Sequence, residues 1–349
     1  KLEQSHLDAI VVSQPDNRRY LSGFTGSAGF LAISQELALL ATDFRYIEQA
    51  ATEAPDFEIA RIEGDRWFPE VASRLRVKRL AFEAADISFA TYQKLIEGVA
   101  QIGSMELLPT TDMVESLRAM KDEQELARIA DAVALADAAF ENVVPTFAPG
   151  MTEKEAAWKL EKFLREKGGE RVSFDIIVAP GPSSALPHAR PSDRQLRPSE
   201  PIIIDMGAQR NGYCSDLSRT IFLDEPDETF SRVYDIVLGA QLTALATISA
   251  GMNGEQADAQ ARVVIEQAGY GDAFGHGLGH GIGLSVHEKP RLGRGSVDTL
   301  SDGMVFTIEP GIYISGWGGV RIEDVVVLGE KGVRSLTKAN KTDFGGKAR

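Results

Sequence analysis

The chain has 349 residues, 43% of them hydrophobic, and a formal net charge of −14 at pH 7. This length exceeds the usual size of one hydrophobic core, so we expect two domains. The acidic balance argues against nucleic acid and anionic membranes as partners, and no apolar run approaches the roughly 18 residues of a transmembrane helix.

The cysteine content and the start of the chain bear on the compartment. One cysteine, Cys214, excludes an internal disulfide framework and agrees with a reducing environment. Residues 1–12 lack the basic and apolar regions of a secretory signal. We therefore expect a cytoplasmic protein.

The first part of the chain alternates predicted strands with predicted helices. By apolar patterning, strands are predicted at residues 8–12, 36–42, 57–61 and 78–83, and helices at residues 65–76 and 90–100. Such alternation is typical of a small α/β domain, which we place at residues 1–112. Between the first two strands, SQPDN is predicted to be a turn, and Asp43 is expected to cap a helix that runs through residues 44–52.

Three glycines, Gly23, Gly26 and Gly29, follow the first predicted turn. They do not fit a dinucleotide-binding fingerprint, because no acidic residue stands at the expected distance in a βαβ unit. We interpret them as structural.

A linker is predicted at residues 108–116, followed by a long helical stretch that begins near Ser116. Apolar residues recur at helical spacing through residues 121–143, and the acidic first turn suits the helix dipole. The second domain is placed at residues 113–349.

The second domain contains an internal echo. Gly-Met-Thr at residues 150–152 and Gly-Met-Asn at residues 251–253 each precede a predicted helix with a capping residue. Each helix runs into strand-like segments that carry histidines. Two half-domains related by pseudo-symmetry would explain this, and chance similarity of two capped helices is the alternative that the residues leave open.

The segment GHGLGHGIGLSVHE, residues 275–288, holds three of the five histidines: His276, His280 and His287. Its glycines disfavour a helix, by roughly 1 kcal/mol each relative to alanine. They suit a loop or strand whose backbone passes close to another group. Imidazoles gathered in this way indicate metal binding or proton transfer.

Four carboxylates lie in or beside strongly apolar strands. Asn211-Gly212 is a strong hairpin signal, and a two-residue turn there places Asp205 opposite Ser218. Asp205 and Asp216 then share one face of the hairpin, roughly 7–8 Å apart at the backbone. Further along the chain, the other two carboxylates are Glu309, which ends an apolar strand, and Glu323, which shares a strand face with Arg321.

Four gathered carboxylates require a cation, because like charges raise one another's pKa values and force protonation. Two divalent cations would balance the charge, and two Asp, one His and two Glu around two metals suit hydrolysis by a bridging hydroxide. Ligation rich in carboxylates and poor in imidazoles favours Mn(II), with Co(II) or Zn(II) as the other options.

These motifs together resemble the metallopeptidase family with the pita-bread fold, and the resemblance covers nearly the whole chain. The matching motifs are the aspartates at 205 and 216, HGLGH at 276–280, VHE at 286–288, TIEPG at 307–311 and VRIED at 320–324. The resemblance implies an α/β (α+β) fold with a creatinase-like N-terminal domain and a pseudo-symmetric pita-bread catalytic domain. It also implies five metal ligands: Asp205, Asp216, His280, Glu309 and Glu323. Of these, Asp216 and Glu323 would bridge the two metals or bind bidentate.

The resemblance implies roles for further residues. His188 and His287 would position substrate and stabilise the tetrahedral intermediate, and His276 would line the proline side of the pocket. Glu309 would also be the proton shuttle. Two more residues are expected to support the site: Arg321, as a partner of the metal ligands, and Tyr313.

The first domain distinguishes subfamilies. Residues 17–33 and 39–50 resemble the N-terminal domain of Xaa-Pro peptidases, which cleave the bond before proline. Creatinase shares the architecture but lacks the metal ligands that are present here. Relatives are commonly dimers, so the resemblance favours a homodimer acting on proline-containing peptides.

The choice between Xaa-Pro dipeptidase (prolidase) and aminopeptidase P stays open. Arg291, four residues after His287, resembles the arginine that clasps the proline carboxylate in prolidases, and a surface arginine is the alternative. Two rival functions also stay open. One is a non-catalytic peptide-binding module of the same fold, and the other is hydrolysis of a non-peptide amide.

Overall fold

The computed structural model describes residues 1–64, 67–103 and 105–341. The chain divides into two compact units, the first Lys1–Leu117 and the second from Arg118 onward. The predicted domain boundary after residue 112 comes five residues before this division. The predictions made for residues 65–66 and 342–349 lie outside the described residues.

The first unit is a mixed α/β layer structure, as predicted. Its sheet has the strand order β4-β3-β2-β1-β5-β6, in which β1–β2 and β2–β3 pair antiparallel and the other pairs are parallel. Its elements are β1 (Ala9–Val12), α1 (Pro15–Ser22), β2 (Phe30–Ser34), β3 (Ala38–Thr42), α2 (Ile47–Glu53), β4 (Glu58–Arg61), α3 (Trp67–Leu75), β5 (Arg79–Glu83), α4 (Phe89–Ile102) and β6 (Glu106–Thr110).

Both faces of this sheet are covered. Along β1, Ala9 and Val11 belong to one buried apolar cluster, whereas Ile10 and Val12 belong to another. This alternation follows from the two-residue period of a strand. A strand with apolar residues on both faces is typical of a sheet that lies between two layers of helices.

Two local predictions in the first unit are wrong. The segment SQPDN starts helix α1 rather than a turn, because Pro15 occupies the first helical position and the Gln14 side chain caps the helix by accepting from the Asn17 amide. Asp43 does not cap α2, which begins at Ile47. Its carboxylate instead accepts two hydrogen bonds from the Arg45 guanidinium, at 2.7 and 2.9 Å.

The second unit consists of helices packed on several antiparallel sheets. Its sheets have the orders β11-β10-β7, β12-β9-β8, β14-β13-β15-β18-β19 and β16-β17. The elements that follow β6 are α5 (Glu115–Arg118), α6 (Glu123–Val143), α7 (Glu153–Glu166), β7 (Arg171–Val172), β8 (Ile177–Pro180), β9 (Ile202–Met206), β10 (Ala208–Arg210), β11 (Tyr213–Cys214), β12 (Leu217–Ile221), α8 (Glu228–Thr247), α9 (Gly254–Gln267), β13 (Gly279–Gly281), β14 (Glu288–Leu292), β15 (Val305–Ile308), β16 (Gly311–Ile314), β17 (Gly318–Arg321), β18 (Asp324–Gly329) and β19 (Gly332–Ser335).

The internal echo seen in the sequence is a structural repeat at the two helix starts. Thr152 and Asn253 both form capping boxes, at the N-termini of α7 and α9. Both capping residues also form an isolated antiparallel bridge to a later segment, Thr152 with Gln195 and Asn253 with Thr299. Equivalent local contacts about a hundred residues apart support two related half-domains.

Two apolar cores hold the second unit together. One packs α8 and α9 against β15 and β18, and the other packs α6 and α7 against β8, β9 and β12. Within the described part of the chain, no helix is both long enough and apolar enough to cross a membrane.

Candidate metal centre

The hairpin that carries the two aspartates forms as predicted. β10 and β11 pair with Arg210 opposite Tyr213, which leaves a two-residue turn at 211–212. The same register continues into β9 and β12, where Asp205 lies opposite Ser218. Asp205 is therefore on β9, and Asp216 stands between β11 and β12, on the opposite strand of the hairpin.

The remaining predicted ligands come from the other half of the unit. His280 lies on β13, Glu309 directly follows β15, and Glu323 stands between β17 and β18. The glycines beside His280 are required by close backbone approach. A Cβ added at Gly279 would lie 2.0 Å from the Thr307 carbonyl oxygen, and one at Gly281 would lie 1.9 Å from that of Lys289.

Three of the predicted ligands converge on one point. One ligand atom each from Asp216, His280 and Glu323 lie within 4.8 Å of one another. His280 Nε2 is 3.7 Å from Asp216 Oδ2 and 3.3 Å from Glu309 Oε1. Its Nδ1 lies 3.1 Å from the Gly281 carbonyl oxygen. Since a carbonyl only accepts, Nδ1 carries the proton and Nε2 faces the carboxylates, as a metal-binding imidazole requires.

The pKa values of the cluster reflect buried like charges. Burial raises the pKa of Asp216 well above its ordinary value, and the charges of neighbouring carboxylates raise it further. Burial and neighbouring carboxylates raise the pKa of Glu323 in the same way. Burial also raises the pKa of Asp205, although the charge of Arg321 opposes it. These carboxylates therefore favour protons or cations over bare ionisation.

Glu309 differs from the other carboxylates. Burial acts to raise its pKa, but the hydrogen bond and charge of His280 outweigh burial and lower the pKa of Glu309 to about 2. For His280, burial acts to lower the pKa, and the contact with Glu309 outweighs it and raises the pKa to about 9. Without a metal ion, these two groups form an ion pair.

Unsatisfied buried oxygens show that the site fits a cation. Asp205 Oδ1 and Glu323 Oε1 are both buried and have no hydrogen-bond partner among the described residues. A buried carboxylate oxygen left unpaired is unfavourable, and coordination to a metal ion is an ordinary way to satisfy it. Five clustered O and N donors, four of them carboxylates, fit hard or borderline divalent cations.

A hydrogen-bond chain runs behind the carboxylates. The Arg321 guanidinium donates to Asp205 Oδ2 at 2.6 Å, to the Ser218 hydroxyl at 2.7 Å and to the Tyr313 hydroxyl at 2.9 Å. The Tyr313 hydroxyl is 2.8 Å from His276 Nε2. Since Arg321 only donates, the Tyr313 proton points to His276, and burial lowers the pKa of this imidazole and favours its neutral form. Arg321 and Tyr313 thus connect Asp205 to His276.

A cavity of about 450 Å³, here called the metal cavity, opens onto this cluster. Tyr313 lies behind its wall, and the cavity is lined by all the other predicted site residues, namely His188, Asp205, Asp216, His276, His280, His287, Arg291, Glu309, Arg321 and Glu323. The rings of His280 and His287 are 4.2 Å apart between centroids.

Several supporting residues were not predicted. Thr307 accepts from the His280 amide at 3.1 Å and donates to Glu309 Oε1 at 3.0 Å, so it holds both groups. Glu288, next to His287, accepts hydrogen bonds from Arg118 and Lys121, each at 2.5 Å. The TIEPG and VHE motifs contain Thr307 and Glu288, but nothing local in the sequence marks their partners.

Two family models match the chain. Residues 127–330 match the model of metallopeptidase family M24, and residues 1–120 match the Creatinase/Prolidase N-terminal domain. The peptidase YqhT of Bacillus subtilis is 40% identical over 340 residues, which cover 97% of this chain and 96% of YqhT.

Two solved structures are similar over nearly their whole length. The chain is similar to a Xaa-Pro dipeptidase from Bacillus anthracis, with 40% identity, a TM-score of 0.93, and coverage of 97% of this chain and 95% of that one. It is also similar to an X-Pro aminopeptidase from Thermotoga maritima, with 38% identity, a TM-score of 0.89, and coverage of 97% and 98%. From its motifs, its fold and these matches, the chain belongs to metallopeptidase family M24.

Proposed function

We propose that this protein hydrolyses the peptide bond between an N-terminal residue and proline, using two divalent cations. The observation that carries the proposal is that one imidazole and four carboxylates line a single cavity, and that Asp205 and Glu323 each keep a buried, unpaired oxygen there. The names of similar proteins, Xaa-Pro dipeptidase and X-Pro aminopeptidase, support the substrate class.

Five residues would hold the cations: Asp205, Asp216, His280, Glu309 and Glu323. When bound, the cations supply a Lewis acid and a water activated as the nucleophile. Mn(II) is the expected metal, because the donor set contains more carboxylates than imidazoles.

Glu309 is placed to move the proton. Its carboxylate is oriented by the Thr307 hydroxyl, at 3.0 Å, and it faces the cavity. In the proposed reaction it accepts a proton from the attacking water and delivers it to the departing proline nitrogen. That nitrogen has no N–H in the substrate peptide, so it must be protonated as the bond breaks.

The histidines act on the substrate side. His276 is fixed by the Tyr313 hydroxyl and by the Gly277 carbonyl, each at 2.8 Å, and offers a rigid wall for the proline ring. His287 and His188 line the same cavity. Burial lowers the pKa of His287, so it is neutral near pH 7 and can donate an N–H to the oxyanion.

The surroundings of the site complete the proposal. Arg291 lines the cavity and can pair with the carboxylate of a bound Xaa-Pro dipeptide. We further propose a cytoplasmic location, because the chain has a single cysteine, and a homodimer, because relatives in the family are commonly dimers.

The test compares metal content with activity. The protein is stripped with a chelator, reloaded with Mn(II), and assayed on an Xaa-Pro dipeptide and an Xaa-Pro tripeptide. Asp205→Ala and Glu323→Ala should lose both bound metal and hydrolysis. Asp193→Ala, which removes a carboxylate that is 84% exposed, should keep both.

Three outcomes would contradict the proposal. Full activity in a variant without bound metal would exclude the metal mechanism. A wild-type protein that binds peptide, binds no metal and does not cleave the peptide would be a peptide-binding module. Turnover of a non-peptide amide alone would indicate the other rival function.

A further inference from the structure

The proposed metal ligands come from two halves of the second unit, which meet at a seam beside the candidate metal centre. Asp205 and Asp216 belong to the β9–β12 hairpin, which shares one apolar core with α6 and α7. Glu323 stands between β17 and β18, and β18 shares the other core with α8 and α9. The spacing between the two groups of ligands therefore depends on how the halves are joined.

Strand β12 forms one side of this seam. The Glu323 amide donates to the Ser218 carbonyl at 3.1 Å, and the Glu323 carbonyl accepts from the Arg219 guanidinium. Further along β12, the Thr220 hydroxyl donates to the Arg321 carbonyl at 3.0 Å and accepts from the Arg321 amide at 2.9 Å. Both backbone polar groups of Glu323 are thus held by the half that carries the two aspartates.

Arg219 joins the seam to the C-terminal part of the chain. Its side chain is 1% exposed, and the five N–H groups of its guanidinium are matched by five acceptors. The acceptors are one carboxylate, that of Asp324 at 2.9 Å, and the carbonyls of Ser218 at 3.0 Å, Asn340 at 3.1 Å, Ala339 at 2.8 Å and Glu323. Because all its donors are used, Arg219 cannot turn without breaking one of these bonds.

Residues 336–341, here called the clasp, are attached to both halves. On one half, the Asp137 carboxylate of α6 accepts from two consecutive backbone amides of the clasp, at 2.8 and 3.0 Å. On the other half, the Tyr234 hydroxyl of α8 donates to the Lys341 carbonyl. The clasp therefore spans the seam, and Arg219 contacts it close to the middle.

Asp324, the residue after Glu323, connects the clasp to the candidate metal centre. Its side chain is fully buried. Oδ1 accepts from Arg219, and Oδ2 accepts both from the Gln241 amide of α8 at 2.9 Å and from the Lys341 ammonium. Lys341 also donates to the Gln241 side-chain oxygen at 3.0 Å. The position of Asp324 is thus set by one cation from β12 and one from the clasp.

We propose that the clasp positions Glu323 for metal binding, and that Lys341 is a positioning residue of the metal centre. This inference rests on the proposed function, because it takes Glu323 as a ligand. Without the Lys341 ammonium, the Asp324 carboxylate keeps Arg219 as its one cation and shifts towards it. The Glu323 backbone shifts as well, since Arg219 holds its carbonyl and Asp324 follows it in the chain. Metal binding is sensitive to such a shift, because ligand distances must hold within ~0.2 Å.

The test measures metal affinity and stability separately. Lys341→Met keeps an unbranched side chain of similar length and removes the charge. Lys338→Met is the matched control, because Lys338 is a lysine of the same clasp but is exposed. The apparent Mn(II) dissociation constant is measured by isothermal titration calorimetry on the full chain after removal of metal with a chelator. The urea midpoint of each variant is measured without metal.

The Mn(II) dissociation constant should rise about tenfold in Lys341→Met, since loss of a residue that orients a metal ligand typically costs ~10–100-fold in affinity. It should be unaltered in Lys338→Met. Gln241→Leu, which removes the other donor to the same Asp324 oxygen, replaces Lys341→Met if that variant does not fold. An unaltered dissociation constant in the folded clasp variant, with or without a lower urea midpoint, overturns the inference and leaves the proposed function intact. A wild-type protein that binds no Mn(II) overturns both.

Discussion

Glu288 provides the sharpest test of how the site is held. Its side chain is 5% exposed and faces two buried cations, Arg118 at 4% and Lys121 at 1% exposure, each at 2.5 Å. Burial lowers the pKa of Lys121, while the charge of Glu288 opposes that shift. Glu288→Gln keeps the shape but removes the negative charge that both cations face.

The expected loss follows from this burial. Removing one partner of a buried ion pair typically destabilises a protein by ~3–5 kcal/mol, and the oxygen retained by Gln places the change near the lower end. With a urea dependence of about 3 kcal/mol per molar, the unfolding midpoint should fall by roughly 1 M. Far-UV circular dichroism during urea titration measures this midpoint.

Glu166→Gln is the matched control, since Glu166 pairs with Lys162 at 3.8 Å and both side chains are more than half exposed. An exposed pair of this kind contributes ~0–1 kcal/mol, so its midpoint should stay close to that of the wild type. Equal midpoints for Glu288→Gln and Glu166→Gln would refute the reasoning, because burial would then make no difference to the ion pair.

Four further substitutions probe other parts of the second unit. His280→Ala should lower the Mn(II) content measured by mass spectrometry, whereas His287→Ala should keep the metal and lose ~10²–10³-fold in kcat. Gly283→Ala should also lower the urea midpoint, because the added Cβ would lie 2.4 Å from an oxygen of the Glu288 carboxylate and displace it. Arg219→Met should destabilise by ~3 kcal/mol in the same titration, because the buried Asp324 carboxylate loses its partner at 2.9 Å and keeps only Lys341 as a cation, and because buried carbonyls lose the Arg219 donor.

Much of the candidate metal centre could be predicted because its geometry is encoded locally. The Asn211-Gly212 turn fixes the register of the hairpin, and this register places Asp205 opposite Ser218. Of the other predicted ligands, Glu309 directly follows the apolar strand β15, whereas His280 is marked by its glycine-rich segment and Glu323 by its position between β17 and β18. A short turn and a two-residue period are properties that a sequence displays directly.

The unpredicted parts depend on long-range packing. Glu288 is paired with residues 167 and 170 positions earlier, and no periodic pattern in either segment indicates the partnership. Helix α1 was missed for a different reason, since a proline followed by polar residues is common to turns and helix starts.

The glycines of residues 275–283 show how local pattern and packing combine. Their number predicts close approach, but only the structure shows what is approached: strand backbone at Gly279 and Gly281, and the Glu288 carboxylate at Gly283. Gly279 and Gly281 flank His280, and Gly283 contacts Glu288, which is next to His287. A side chain at any of the three positions would therefore move a proposed metal ligand relative to a substrate-side histidine. The glycines thus preserve a fixed spacing between the proposed metal ligand His280 and the proposed substrate-side histidine His287.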